Sequence, residues 1–575
     1  MEKDINLDHP SLEEHGDYAS SVALKIGKQL NQKPLEIASK LVDQLSKTQD
    51  APWEKIEAAD PGFINFHLKL EDLKNEIEKV SKEKEDYGAV RTLQDKKIMV
   101  EYAHPNTHKE MHIGHMRTLI TGEALARIFS FCGATVFRAN YQGDIGPHVA
   151  KAIFGTQKIL GEQKMSLDQA DKLSLKEKAH LLGEGYIRGN QEYESSKEKI
   201  DDINSQLYKK SAEVWKFYET TRKWSLDYYD MFYIRFGTKF DRLYFESEVA
   251  DPGKKLVLKN VGRVFEKSDG AIIFDGEKFS LHKRVFVTSD GNPTYEGKEM
   301  ALGLLEYLDF PFDQCVHVVA SEQAGYFQVV IKALEQLDQK FAGRQYHLSM
   351  GMVQLVGKKI SSRTGVLITV DGLLDDVKQL LRPKLHSQNL TTKELDHILE
   401  VATIGAVKYS VLKTGPLLNA VFDLEKSVSL DGDSGPYLQY TYARAKSVLR
   451  KSESLSSHSG EHALGEATPE SLENKPRDAE LGQHDKLYGE ELSLLRYLYR
   501  FPEVVEAAAR TYSPNLVCTY SFELAKRFNN FYNNTPILKA DTAESVGFRV
   551  SLTQAVSIVL KNGLNLLGIE ALEVM

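Results

Sequence analysis

The spacing of apolar positions changes character several times along the chain, and each change marks a predicted element. Ile98 to Tyr102 is a short apolar run bounded by charges; it reads as a strand, broken by Pro105 and Asn106. After Gly114 the apolar residues Leu119, Ala126 and Phe129, with Leu125 and Ile128 beside them, recur at helical spacing. Ala134 to Ala139 gives a second strand, closed by a glycine-containing turn from Asn140 to Gly146. Further strands are predicted at Ala271–Phe274, Arg284–Thr288 and Val316–Ala320. From about Val370 the period is mostly helical. The strand ends followed by chemistry-bearing turns fit an α/β, doubly wound parallel sheet, whose ligand sits beyond the carboxyl ends of its strands. On that reading Asn140 and Asp144 border the site.

The flanks read differently. His15 to Leu24 predicts a helix with Asp17 or a neighbour as its N-cap, and Pro34 opens a second helix reaching about Leu45. A turn at Pro61-Gly62 leads into a strand, Phe63 to Leu68, so the first 90 residues or so form a small α+β unit. Ser196 to Tyr233 is dense in helix formers and mixed charge and predicts one or two solvated helices. Lys451 to about Asp485 is rich in Ser, Glu and Gly and is expected to be a disordered insert. Leu516 to Tyr532 carries Phe522, Phe528, Phe531 and Tyr532, an aromatic stripe of the kind that usually packs into a core.

Composition narrows the class. At 575 residues, 42% hydrophobic and 27% charged, the chain has the makeup of a globular protein of three or four domains. No apolar run approaches the roughly 20 residues of a membrane span. The acidic, polar start MEKDINLDHP carries no visible targeting signal, and three scattered cysteines suit a reducing cytosol, so a cytoplasmic location is expected. A net charge of −9 argues mildly against nucleic acid but leaves room for local basic faces.

The chemistry gathers at the first predicted strand–loop–helix. His112 and His115 sit three apart where loop becomes helix, so they share one face. Gly114 between them leaves bare backbone that a flat ring can approach, and helix-start amides attract anions. This describes a nucleotide site with the base on glycine and the phosphates on the histidines. A second stretch, Val356-Gly-Lys-Lys-Ile-Ser-Ser-Arg-Thr-Gly365, makes a cationic loop bounded by glycines.

His112-Ile-Gly-His115 resembles the signature of class I aminoacyl-tRNA synthetases, and Lys359-Ile-Ser-Ser-Arg363 resembles their second signature, with Ser362 in place of a lysine. The wider runs Glu101-Tyr-Ala-His-Pro-Asn106 and Lys109-Glu-Met-His-Ile-Gly-His115 are similar to arginyl-tRNA synthetases. So are His15-Gly-Asp-Tyr-Ala, Pro61-Gly-Phe-Ile-Asn-Phe-His-Leu68 and the ending Leu567-Gly-Ile-Glu-Ala-Leu-Glu-Val-Met575.

The resemblance implies a class I Rossmann-like catalytic domain, an N-terminal α+β domain and a C-terminal all-α anticodon-binding domain. Its divisions fall at 1–90 for the tRNA D-loop-binding domain and at 91–370 for the catalytic domain, with an insertion at about 157–266. A helical connector takes 371–436 and the anticodon-binding domain 437–575, with its insert at about 451–485. The implied reaction is ATP-dependent formation of arginyl-adenylate, with Mg²⁺ as companion, then transfer to the 3′-terminal ribose of tRNA(Arg). His112, Gly114, His115, Lys359 and Ser361 would hold ATP, and Lys109 would stand in for the missing lysine at Ser362. Glu101, Asn106, Tyr295, Glu299 and Gln323 would form the arginine pocket, with Glu299 taking the guanidinium where the family more often has aspartate. Phe63 and Asn65 would stack on and bond to a D-loop base. His148 stands where the family usually has glutamine. The resemblance further implies a monomer whose activation step waits for tRNA.

Other readings of the same residues exist. His108, His112 and His115 could ligate a metal, but His-Glu-x-x-His is absent and Pro105 and Gly114 favour a loop. A different class I synthetase or nucleotidyltransferase would share the histidines but not both ends of the chain. A non-enzymatic tRNA binder would have no reason to keep Lys109, His112, His115 and Lys359 together.

Overall fold

The computed structural model describes residues 5–356, 369–385, 390–458, 487 and 489–575. At its centre is a five-stranded sheet built from β4 (Lys97–Glu101), β5 (Thr135–Gln142), β6 (Arg242–Phe245), β10 (Gln314–Ala320) and β11 (Gln345–Met350), strands being numbered in chain order. Their order is β11-β10-β4-β5-β6, and every pairing is parallel. The chain starts in the middle, winds outward one way through β5 and β6, then returns to the other side of β4. That reversal creates a crevice between β4 and β10, the switch point at which doubly wound sheets bind ligands. Ile98, Met99 and Val100 are buried, as a strand covered on both faces requires. The helix Ile113–Phe131 follows β4 and is buried on nearly all sides.

The N-terminal unit is a three-stranded antiparallel sheet, β1 (Tyr18–Ser20), β2 (Trp53–Ala59) and β3 (Phe63–Leu68), with β3 in the middle. Two helices, Val22–Leu30 and Pro34–Leu45, cover it. The predicted helix over His15–Leu24 therefore begins later, at Val22. Tyr18–Ser20 is drawn into pairing with Phe66–Ile64 instead, and Asp17 caps no helix. Its buried carboxylate accepts from the backbone N–H of Leu68 at 2.8 Å and meets Arg496 at 3.3 Å.

Three strands, β7 (Glu266–Ser268), β8 (Ala271–Phe274) and β9 (Arg284–Val287), make a separate antiparallel sheet. The predicted strand Arg284–Thr288 thus exists but lies outside the parallel sheet. A last pair, β12 (Val353–Leu355) and β13 (Ala420–Phe422), is parallel.

The stretch Ser196–Tyr233 is helical as expected, and its first helix, Tyr193–Lys209, is largely solvated, burying Ile200 and Leu207, but its second is not. The helix Ala212–Arg235 buries Tyr228, Tyr229, Phe232 and Tyr233 against the catalytic unit, and packs Trp224 among Ile159, Leu160, Leu181 and Leu182. Its charges had masked an aromatic face that packs beneath the site loop. The C-terminal region is all helical, from Gly435–His458 through Ala543–Leu566. Residues 451–458, expected to be disordered, continue the first of these helices; the remainder of that insert lies outside the described residues.

Candidate active site

His112 is the N-cap of the helix Ile113–Phe131, and its Nδ1 accepts the Gly114 amide proton at 3.1 Å. An amide N–H can only donate, so Nδ1 is unprotonated and the remaining proton sits on Nε2. The His112 and His115 rings stack with centroids 3.7 Å apart. Burial, then the nearby Lys109 charge, lowers His112 to about 4. Burial also holds His115 well below the usual range, helped by His112 and Lys109. Both rings are neutral at pH 7 and can offer N–H donors without bringing charge of their own. A Cβ on Gly114 would lie 2.9 Å from the His112 ring, so the stack needs glycine there.

The loop between β4 and this helix is tightly bent. Ala103, His104 and His108 all have left-handed backbones, with φ of 78°, 49° and 62°. Such conformations persist only where surroundings enforce them; Thr118 donates to the Ala103 carbonyl at 3.3 Å, and the helix Ala212–Arg235 holds the loop from Asn106 to Lys109. Its Tyr229 hydroxyl reaches the carbonyl oxygens of Asn106 and Lys109 at 2.6 and 2.7 Å. Its Ser225 accepts from the His108 amide at 2.9 Å. The His108 ring is buried with one nitrogen 2.9 Å from Thr107 Oγ1 and the other 2.9 Å from Thr221 Oγ1. With both nitrogens engaged, His108 cannot join His112 and His115 around a metal. Lys109 places its ammonium 4.2 Å from the centroid of the Tyr186 ring.

Glu101 ends β4 on the crevice side, and its carboxylate is 2.6 Å from His317 Nδ1 and 3.3 Å from His104 Nδ1. Burial opposes ionisation of Glu101, but the His317 charge and hydrogen bond, with His104, hold it down at about 2. Glu299 is also buried and accepts from the Tyr326 hydroxyl at 3.1 Å. Burial, then the Glu101 charge, pushes Glu299 up to about 8. Two carboxylates of opposite tendency therefore share one polar wall. Beside Glu299, Lys298 is paired with Glu246 at 2.6 Å, both buried. Asn106 faces Gly143, where a Cβ would strike its side-chain oxygen, so the two loops close only with glycine at that point.

Tyr295 and Gln323 are exposed at the rim, Tyr295 at the start of its helix and Gln323 at the end of a turn after β10. Lys359 and Ser361 lie outside the described residues, as do Ser362 and Arg363. Phe63 and Asn65 are far from this crevice in sequence and fold. They line a cavity of about 300 Å³ on the N-terminal unit with His9, His15 and Asp60. Phe63 is 36% exposed and available to a partner, whereas Asn65 is mostly covered.

Asn140 and Asp144 do not border the crevice as expected. Asp144 is fully buried and accepts from Tyr218, Arg222 and Ser247, which leaves it a bracing role. Asn140 is fully buried as well and donates to the Tyr233 hydroxyl at 2.9 Å. His148, near the start of the helix Pro147–Glu162, is lowered to about 3 by burial and sits 3.2 Å from the Gly143 carbonyl.

Sequence reasoning passed over Tyr326, Tyr229, Tyr186, Arg117 and His317. The one available signal was His317, a single polar residue inside the apolar run Cys315-Val-His-Val-Val319. Arg117, two residues past His115, is buried and donates to the carbonyls of Gly351, Met352, Pro416 and Leu418 at 2.6 to 3.3 Å. Glu101, Cys315 and His317 bring ligand atoms within 4.8 Å of one another. Both His317 nitrogens are already engaged, by Glu101 and by Gln345, which leaves no lone pair for a metal.

A parallel sheet wound outward from its middle strand, with a capping histidine and its stacked partner at the switch point, is a nucleotide site, and the family match over this region makes it that of a class I aminoacyl-tRNA synthetase. Residues 76–424 match the family model described as tRNA synthetases class I (R), catalytic domain. Residues 438–575 match the DALR anticodon binding domain, and residues 1–68 the arginyl tRNA synthetase N terminal domain. The chain is 33% identical to the arginine–tRNA ligase of Treponema denticola, over all of this chain and 95% of that enzyme. It is 30% identical to the Treponema pallidum arginine–tRNA ligase, over 97% of this chain and 93% of that one. Its structure resembles Thermus thermophilus arginyl-tRNA synthetase with a TM-score of 0.80 at 25% identity, covering 99% and 96% of the two chains. The Plasmodium falciparum arginyl-tRNA synthetase shares the fold, with a TM-score of 0.76 at 19% identity over 100% and 95%. The chain belongs to the arginyl-tRNA synthetase family.

Proposed function

We propose that this chain joins L-arginine to tRNA(Arg) in two steps: formation of arginyl-adenylate from ATP with release of pyrophosphate, then transfer to the 3′-terminal ribose of the tRNA. The observation that carries this reading is the shared wall of Glu101 and Glu299 beside the neutral His112–His115 pair at one crevice. Arginine has two cationic ends, and two buried carboxylates are there to meet them. Its α-ammonium is next to the carboxylate that attacks the α-phosphate, so it belongs at Glu101, the acid joined to the histidine side through His104. The guanidinium then falls to Glu299, which can take it in two parallel bonds. Asn106, Tyr295 and Gln323 complete this pocket.

ATP would lie against Gly114, with His112 and His115 donating to its phosphates at the helix start. Lys109 and Lys359 would meet the charge of the leaving pyrophosphate, Lys109 leaving its place over Tyr186 to do so, and Ser361 would join them. Mg²⁺ would be carried on the phosphates: His112, His115 and Lys109 are donors, so phosphate oxygens and water supply the oxygen ligands it requires. Phe63 and Asn65 would receive a D-loop base, Phe63 by stacking. The proposed divisions are the N-terminal domain at 1–90, the catalytic domain at 91–370, a connector at 371–436 and the anticodon-binding domain at 437–575. We assign the enzyme to the cytoplasm as a monomer. Three cysteines without disulfides support that compartment, and no helix among the described residues is long and apolar enough to cross a membrane.

The test is charging of tRNA(Arg) with labelled arginine by the wild type and by Glu299→Gln. The neutral variant should keep its fold and lose arginine affinity by about a hundredfold, the scale of a lost charged hydrogen-bonded pair. Unchanged arginine affinity would remove Glu299 from the pocket.

A further inference from the structure

Glu101 is reached from behind by a line of side chains that crosses three strands. His317 on β10 is the direct register partner of Glu101 on β4. Its Nδ1 is 2.6 Å from Glu101 and its Nε2 is 2.5 Å from the side-chain oxygen of Gln345 on β11. Two oxygens face the ring nitrogens, and against burial the neighbouring Cys315 and Glu101 groups raise the ring well above its ordinary range, so it is an imidazolium. All three residues are buried. The Phe327 ring lies 5.1 Å from that of His317 and closes one side.

The charge balance around this line is lopsided. Glu299 and Glu306 lie seven residues apart on the helix Tyr295–Asp309, so both face Glu101. Burial and then the Glu101 charge push Glu306 well above the usual carboxylate range. Three acids thus surround a single imidazolium. Without it, Glu101 would be one more buried acid best kept protonated, and a protonated acid does not attract an ammonium.

We propose that His317 is a positioning residue of the arginine subsite: anchored by Gln345, it orients Glu101 and keeps it anionic for the arginine α-ammonium. This rests on the reading of Glu101 as an arginine ligand. His317 itself touches no substrate and acts through Glu101. It sets arginine affinity without entering the ATP side of the crevice.

The experiment is steady-state pyrophosphate exchange on the full chain with tRNA(Arg), for His317→Gln, Glu101→Gln and the double variant, with a thermal melt of each. His317→Gln keeps a donor at Glu101 but not the charge. It should raise the arginine KM about tenfold or more while the ATP KM stays within about twofold, and the double variant should be no worse than Glu101→Gln alone. An unchanged arginine KM in a folded His317→Gln, or effects that add in the double variant, would overturn the proposal. If Glu101→Gln itself leaves the arginine KM unchanged, the Glu101 reading falls and this one with it. Should His317→Gln not fold, Gln345→Met tests the anchor: a raised arginine KM with normal ATP KM supports the relay, and wild-type values overturn it.

Discussion

His112 and His115 stack at 24° between ring planes, and the stack exists because residue 114 has no side chain. The helix start fixes one ring through the Gly114 amide and presents the other one turn on. Both stay uncharged, so the site holds preorganised donors at an N-terminus already polarised towards anions. Gly114→Ala would drive a methyl group into the His112 ring. Its expected outcome is a fall in kcat for pyrophosphate exchange of about a hundredfold, the scale of one misplaced transition-state donor. The arginine KM should stay at its wild-type value, which the same assay reads.

Glu299 makes arginine binding depend on pH. With its carboxyl raised to about 8, the acid is mostly protonated in the free enzyme at neutral pH. A guanidinium is bound by the carboxylate, so binding must expel a proton below that value. Arginine affinity should rise with pH up to about 8 and then level off. For the fold the sign is opposite: the raised carboxyl favours the folded state below the ordinary carboxylate range, and that contribution is lost as pH rises through about 8. Calorimetric titration of arginine in buffers of different ionisation heat should record release of about one proton at neutral pH.

Much of the site loop was legible in sequence because its signals are local. The strand predicted at Ile98–Tyr102 is Lys97–Glu101, and the helix predicted after Gly114 begins at Ile113. The predicted strand at Ala134–Ala139 is Thr135–Gln142. What the sequence hid are relationships between distant segments. The tyrosines of 212–235 looked like part of a charged surface, and their burial follows from distant partners: Asn106 and Lys109 over Tyr229, Asp371 at Tyr228, Asn140 and Gln142 at Tyr233. Asp17 looked like a helix cap because Ser and Asp near a helix start usually are, yet a strand pairing 46 residues away, between Ala19 and Asn65, took the segment first. Asp144 was expected to border the site because it follows a strand end, and it is consumed by Tyr218, Arg222 and Ser247 instead.

Arg117 joins the histidine helix to the chain just ahead of β12 and to the turn ahead of β13. Burial lowers its guanidinium to about 10, still charged at neutral pH, and its described partners are carbonyl dipoles. Arg117→Leu leaves several carbonyls without donors and should cost about 3 to 5 kcal/mol of stability, measured by denaturant unfolding. Arg117→Lys keeps the charge but not the fork, so its loss should be smaller.

Phe63 stands open beside a cavity on the N-terminal unit, away from the crevice. Phe63→Ala should weaken tRNA binding by about 1 to 3 kcal/mol, the worth of one base–aromatic stack. The tRNA KM in charging assays should rise accordingly while the KM values for arginine and ATP hold. A fall in thermal stability with unchanged tRNA KM would show instead that Phe63 serves the fold.

Pyrophosphate exchange into ATP, run with arginine, lysine or glutamate and with or without tRNA(Arg), decides whether this crevice activates arginine. Exchange is expected with arginine alone, and only in the presence of tRNA(Arg). Comparable exchange with lysine, whose single ammonium cannot fill a site built for a two-pronged guanidinium, would contradict the assignment of Glu101 and Glu299. Absence of exchange under every condition would contradict the catalytic reading of His112 and His115.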